Sequence, residues 1–316
     1  MADDAIDPQL ISLLKKLQEK YDVMGQDITS YLDGLLYSDY LTYWDYIHLD
    51  TLLSLQNPKT KFPDEKVFIV YHQITELYFK LILLEIEQIS LRENIDERFF
   101  LEHIERIIRY FEQLKNSFSI MVDGMDRDQF LKFRMALLPA SGFQSAQYRL
   151  IEICSTDLIN LTDQSYRQQQ AVESNLESLL EKLYWRKGAT ELSSGKKTLT
   201  LRQFENKYMR VFLDTATKYK SVNLQRIYLK HFANSEEIKS KLKVYDKLAN
   251  IEWPLVHLKS ASRYLHKPPE DIKATGGTNW QKYLPPNFQM IMFFPELWND
   301  MEKQHWGRAA FQNLEP

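Results

Sequence analysis

The segment over residues 64–90 constrains the fold more than any other. It reads as one long helix that follows a polar loop containing Pro58 and Pro63, and Asp64 and Glu65 suit its first turn, where the helix dipole favours negative charge. Val67, Phe68, Ile69, Val70, Tyr71, Ile74, Leu77, Phe79 and Leu81 make it apolar on most sides. A helix of that kind is one that others pack around, so a helical core is predicted. Its one polar stripe, His72, Gln73, Thr75, Glu76 and Lys80, faces either solvent or an interior pocket.

The same period of three and four runs through the rest of the chain. Leu10, Leu13, Leu14, Leu17 and Tyr21 predict a first helix, before a tyrosine-rich stretch over residues 31–46. Further helices are expected over 97–122, over 128–138, from near Phe143, and over 160–185. Thr200 with Gln203 resembles a capping box that opens another, running on towards Phe232. Two more follow over 236–248 and 253–265. Glycine is scarce, 9 in 316 residues against a usual ~7%, which disfavours sandwiches, barrels and glycine-rich nucleotide folds. No alternating β pattern stands out. The expectation is an all-α chain with one helical-bundle domain over 43–316, preceded by a helical extension over 1–42 that makes subunit contacts. A polar stretch over 187–198 reads as an exposed loop.

Charge and cysteine content exclude several functions. The net charge is −3 with no long basic tract, which argues against nucleic-acid or anionic-membrane binding. No uninterrupted apolar run reaches the ~18 residues of a membrane span, and the acidic residues 1–8 lack the basic start of a signal peptide. Cys154 is the only cysteine, so an internal disulfide or a thiolate metal cluster is ruled out, and a cytoplasmic location is expected. GxGxxG, P-loop, HExxH and GxSxG motifs are absent.

A few residues are candidates for chemistry. His72 is either a hydrogen-bonded or exposed helix residue, or a pocket residue. His257 shares a helical face with Trp253, Ala261 and Tyr264, and is either a satisfied core histidine or one axial ligand to a large apolar cofactor such as haem. Arg134, among Phe130, Phe133 and Leu137, seeks a carboxylate, either internal or from a substrate. The chain's single glycine pair, Gly276-Gly277, is either a plain turn or a segment that closes over a ligand.

Several strings then converge. Tyr43-Trp44-Asp45-Tyr46 is followed by His72-Gln73-xx-Glu76-Leu77, Phe133-Arg134, Ser141-Gly142-Phe143-Gln144-Ser145-x-Gln147-Tyr148-Arg149, His257, Thr275-Gly276-Gly277 and Phe294-Pro295-Glu296-Leu297. Together, in this order over residues 43–298, they resemble the tryptophan 2,3-dioxygenase family. The resemblance implies haem b as cofactor, with His257 as its iron ligand and Ser141 and Gly142 beside it. It places His72 opposite the indole N–H as the catalytic histidine. It makes Arg134 and Thr275 the holders of the amino-acid group, puts Phe68 against the indole, and sends Tyr43 and Tyr46 into a neighbouring subunit's pocket within a homotetramer. The implied reaction is opening of the indole ring of L-tryptophan by O2, giving N-formylkynurenine. Phe130 stands where the family often has a tyrosine that touches the carboxylate, and the stretch between His257 and Thr275 is longer than usual. Alternatives are a haem mono-oxygenase of another aromatic amino acid such as tyrosine, a haem or ligand sensor without turnover, and a purely structural bundle.

Overall fold

The structure is a computed structural model that describes residues 6–38, 42–137, 144–168, 175–190, 196–265 and 285–308, with backbone only for 135, 168 and 261–265. The chain divides into two compact units, Met1–Leu55 and Gln56–Pro316. Among the described residues the secondary structure is helical, without a strand.

The first unit carries α1 (Pro8–Val23), α2 (Ile28–Tyr37), α3 (Tyr43–Tyr46) and α4 (Leu49–Leu53). Asp7 caps α1 by accepting from the Gln9 N–H at 2.8 Å, with Pro8 in the first turn, where its missing N–H costs nothing. Asp27 caps α2 through the Thr29 N–H at 3.0 Å. Tyr21 and Tyr31 join the first two helices, their rings 4.6 Å apart. None of the four helices has a buried residue, and Leu10, Leu13, Leu17, Leu35 and Leu36 are all exposed.

The second unit is built on α5 (Asp64–Leu91), which matches the helix predicted over 64–90. Beside it lies α6 (Glu97–Ser117). Phe100, Ile104, Ile107, Phe111 and Leu114 of α6 repeat at four and three, and meet Tyr71, Phe79, Ile82, Ile86 and Ile89 of α5 in the core. Each such side chain contributes roughly 1.5–3 kcal/mol of burial, an upper bound. The opposite side of α5 differs from the expectation of an all-round core helix. Val70, Ile74, Leu77, Leu81 and Leu84 are 39–49% exposed. By length and composition α5 could cross a membrane, yet it carries buried Glu65 and Glu85 and packs its other side against α6.

The helix expected over 97–122 is broken at Phe118, after which α7 (Ser119–Asp123) turns off. Next come α8 (Arg127–Phe133), a 3-10 turn Arg134–Leu137, and α9 (Ala146–Ser155), which packs on α5. The continuous helix expected over 160–185 is not found. A 3-10 turn Leu158–Leu161, α10 (Gln164–Gln168), α11 (Leu176–Glu181) and a 3-10 turn Tyr184–Ala189 occupy the described part. Asp163 and Asn175 are the physical reason, because their side chains bond the main-chain N–H groups of Ser165 (3.0 Å) and Ser178 (2.8 Å) and start new turns. The loop expected over 187–198 begins inside that last 3-10 turn, whose Ala189 is fully buried. The capping-box reading is also corrected. Thr198, not Thr200, caps α12 (Leu199–Tyr219), accepting from the Leu201 N–H at 3.2 Å.

α13 (Leu224–Ile227) leads into a π-helical turn, Tyr228–Phe232. A second π turn, Leu248–Glu252, joins α14 (Glu236–Lys247) to α15 (Trp253–Leu265) without a break. Two short helices close the unit, α16 (Pro286–Gln289) and α17 (Asp300–Gln304). Asp246, at the end of α14, anchors the segment between them. Its buried carboxylate accepts from the main-chain N–H groups of Phe293 (2.8 Å) and Phe294 (3.2 Å), from Trp298 Nε1 (2.8 Å) and from Asn250 Nδ2 (2.8 Å). Burial pushes this carboxyl up to about 6, against the pull of those four donors.

Candidate active site

α5 supplies Phe68 and His72. His72 Nδ1 lies 2.7 Å from the Phe68 carbonyl one turn earlier. A carbonyl only accepts, so Nδ1 carries the proton and Nε2 keeps its lone pair. The Phe68 ring lies 4.0 Å from the imidazole, and is itself 5.8 Å from Phe133 and 6.3 Å from Phe130 of α8. In the single chain His72 is an exposed, hydrogen-bonded helix residue. Desolvation lowers its pKa, outweighing the opposing effects of the Phe68 carbonyl and Glu76.

α15 supplies the second histidine, His257, and repeats the same device. Its Nδ1–H donates to the Trp253 carbonyl one turn back at 3.0 Å, which leaves Nε2 available. Phe118 and Trp253 wall the ring, each 4.4 Å away. Burial lowers its pKa to about 4; the Trp253 carbonyl opposes this, and the charge of His72 adds to it. The two histidines therefore lie within electrostatic reach of one another. A line of rings connects them: Tyr71 is 6.2 Å from His72 and 5.8 Å from Phe118.

Arg134 follows α8 and is partly buried. No carboxylate partner for it is found among the described residues, and burial lowers its pKa. Its guanidinium lies 6.0 Å from the Phe130 ring. The bland reading of Arg134, an internal ion pair, thus has no support among those residues.

Other side chains hold these helices in place. The Asp126 N–H donates to Asp64 Oδ2 at 2.6 Å, and the Asp64 N–H to Gln129 Oε1 at 3.3 Å, so the first turns of α5 and α8 are tied together. Fully buried Glu65 accepts from the main-chain N–H groups of Lys59 (2.6 Å) and Thr60 (2.7 Å) and from the Thr60 hydroxyl. Burial acts to raise its pKa, but these donors outweigh it and hold it below its ordinary value. Gln56 donates to Gln73 at 2.6 Å. Gln147 of α9 donates to Glu76. The sequence reading used Asp64 and Glu65 only as helix-start residues and Gln73 and Glu76 only as part of a polar stripe, and it did not show the bonds they make here. Phe118 was missed altogether.

The structure thus brings Phe68, His72, Phe130, Arg134 and His257 into one region of the second unit. Ser141, Gly142 and Thr275 lie outside the described residues. Tyr43 and Tyr46 belong to the first unit and are 72% and 71% exposed.

The residues fit haem on the chemistry of the available donors. Among the described residues no cluster of three or more His, Cys, Asp or Glu side chains could hold a bare metal ion. A neutral imidazole with its Nδ1–H committed and Nε2 available, between aromatic walls, is the single-donor arrangement that haem iron uses.

Comparison with known proteins defines the class. Residues 34–267 match the family described as tryptophan 2,3-dioxygenase. A tryptophan 2,3-dioxygenase of Ruegeria sp. is 30% identical over 280 residues, covering 83% of this chain and 92% of that protein. One from Bacillus thuringiensis subsp. konkukian is 28% identical over 272 residues, with the same coverage. A third, from Sorangium cellulosum, is 43% identical over 124 residues, 36% of this chain and 30% of that protein. These matches and the all-α fold define an oxidoreductase of the dioxygenase kind. The chain belongs to the tryptophan 2,3-dioxygenase family.

Proposed function

We propose that this protein is a haem-dependent dioxygenase that opens the indole ring of L-tryptophan with O2, giving N-formylkynurenine. The observation that carries the reading is the pair of histidines whose Nδ1 each faces a main-chain carbonyl, leaving Nε2 available, together with an arginine that has no acidic partner among the described residues. Haem, held through His257 Nε2, supplies the iron at which O2 is activated.

The chain's own residues do the rest. Arg134 takes the substrate carboxylate with its planar fork, and Thr275 assists at the amino-acid group. Phe68 gives the indole an apolar wall. His72 Nε2 accepts a hydrogen bond from the indole N–H, and its bond to the Phe68 carbonyl fixes the ring for that purpose. The indole keeps its proton, so His72 orients the substrate and need not be a strong base. Phe130 has no hydroxyl to offer, so Arg134 holds the carboxylate without help from that position.

Self-association belongs to the same proposal. The bare apolar side of α5 and the unburied helices of the first unit are the surfaces that copies of the chain cover in a homotetramer, with Tyr43 and Tyr46 entering a neighbour's pocket. A cytoplasmic location completes the reading.

The test is a turnover of haem-loaded, reduced protein with L-tryptophan and 18O-labelled O2, read by mass spectrometry. N-formylkynurenine carrying two labelled atoms is the expected product. A normal ferrous haem spectrum without a tryptophan product overturns the substrate assignment and favours another aromatic amino acid.

A further inference from the structure

The π turn Leu248–Glu252 ends at the Trp253 N–H, which donates to the Leu248 carbonyl five residues back. That bond strands the next carbonyl, that of Ala249. In an α-helix Ala249 would take the N–H four residues on, and in a π turn the N–H five residues on. The first belongs to Trp253 and is already given to Leu248. The second falls at Pro254, which has no N–H. A buried main-chain carbonyl needs a donor, and here it comes from another helix. The Tyr148 hydroxyl of α9 donates to the Ala249 carbonyl at 2.7 Å, and both residues are buried.

Tyr148 is itself held firmly. Its N–H donates to Ser145 Oγ at 3.3 Å, its ring lies 5.3 Å from that of Phe79, and the Arg149 guanidinium lies 4.9 Å from the ring centre. Arg149 is fixed in turn by Glu152 at 2.9 Å and by the Tyr184 hydroxyl at 2.9 Å. The preceding residue, Gln147, bonds Glu76 of α5. Two successive residues of α9 therefore reach α5, which carries His72, and the turn leading into α15, which carries His257. Another tie on that turn, Lys115 Nζ to Glu252 Oε2 at 2.8 Å, joins partly exposed charges and is the weaker one.

We propose that Tyr148 is a positioning residue for His257, an inference that rests on the reading of His257 as the iron ligand. The hydroxyl satisfies the stranded carbonyl and so holds the turn in its π register. The turn runs straight into Trp253, whose carbonyl accepts the His257 Nδ1–H at 3.0 Å. Without the hydroxyl, the turn gains by opening towards another donor, and the Trp253 carbonyl and the imidazole move with it. Phenylalanine at position 148 keeps the ring packing and removes only the donor.

The experiment compares the full chain with Tyr148→Phe, Pro254→Ala and the double variant. Pro254→Ala returns an N–H to position 254, which gives the Ala249 carbonyl a main-chain donor and makes the hydroxyl redundant. The first readout is hydrogen exchange by mass spectrometry on the chain as purified. In Tyr148→Phe the peptide spanning 245–258 should exchange roughly five- to hundredfold faster, the effect of leaving one buried carbonyl without a donor, while residues 100–114 of α6 keep the parent rate. In the Pro254→Ala background the same substitution should change the rate by less than about twofold. The second readout is resonance Raman spectroscopy of haem-loaded, reduced protein. Haem content should stay at parent level. The iron–histidine stretching band should shift and broaden in Tyr148→Phe, and should be the same in Pro254→Ala and the double variant. Equal acceleration of all core peptides marks a general packing role and overturns the proposal. So does an equal effect of Tyr148→Phe in both backgrounds, or an unchanged iron–histidine band. A parent chain with no iron–histidine band overturns the ligand reading instead, and the exchange readout then decides by itself whether Tyr148 sets the turn.

Discussion

The side-chain amide of Gln147 donates twice to Glu76, to the main-chain carbonyl at 2.8 Å and to a carboxylate oxygen at 2.9 Å. Glu76 stands one helical turn after His72, so this clamp fixes α9 against α5 beside the histidine proposed to meet the indole N–H. Gln147→Leu should cost about 1–3 kcal/mol of stability, since one bond is to a charged acceptor. It should lower kcat/KM for tryptophan while haem content stays at parent level. Thermal melts and haem absorbance on the same preparation check both parts.

His72→Ala removes one acceptor for the indole N–H. A net hydrogen bond of about 0.5–1.5 kcal/mol corresponds to a roughly two- to thirteenfold fall in kcat/KM, with haem retained. Burial lowers the His72 pKa, so the accepting, neutral form persists to a pH below the ordinary histidine range. Activity should be flat above that range and fall as pH drops through the lowered pKa. The acid limb assigned to this group should be missing from the pH profile of the alanine variant.

His257→Ala should abolish haem binding, read as loss of the Soret band. Phe118→Ala, which removes a wall of the same imidazole, should destabilise the fold by about 3–5 kcal/mol. Full haem retention and turnover in His257→Ala would falsify the ligand assignment.

Phe130→Tyr places a hydroxyl on the ring that faces Arg134. A tighter hold on the substrate carboxylate should lower KM for tryptophan by about two- to thirteenfold with little change in kcat. Arg134→Met should raise KM by roughly ten- to a hundredfold, the loss of a charge-assisted contact of about 1.5–3 kcal/mol. Steady-state kinetics on the two variants separates these effects.

Leu77→Glu with Leu81→Glu puts two charges on the open side of α5. Sedimentation should show a smaller species than the parent, because burying either carboxylate in a contact between copies is costly. Unchanged sedimentation would remove α5 from the contact surface.

Long helices with a strong period were legible from sequence. α5 and α15 fall where the spacing put them, because apolar residues at three and four leave the backbone few alternatives. The stretch over 160–185 was not legible, since Asp163 and Asn175 compete for main-chain N–H groups through local bonds that periodicity does not register. His257 and Arg134 were visible as single residues on apolar faces, and the family strings supplied their partners. Phe118 was invisible, because its contact with His257 joins residues far apart in sequence.

The π turn Leu248–Glu252 sets which way α15 faces. Such a turn holds one residue more than the α-helical path around it, and each residue turns a helix by about 100°. A chain shortened by one residue there would gain a more regular helix and swing Trp253 and His257 away from Phe118 together. The aim of the imidazole thus rests on an insertion in the backbone count, which side-chain identity at position 257 does not control.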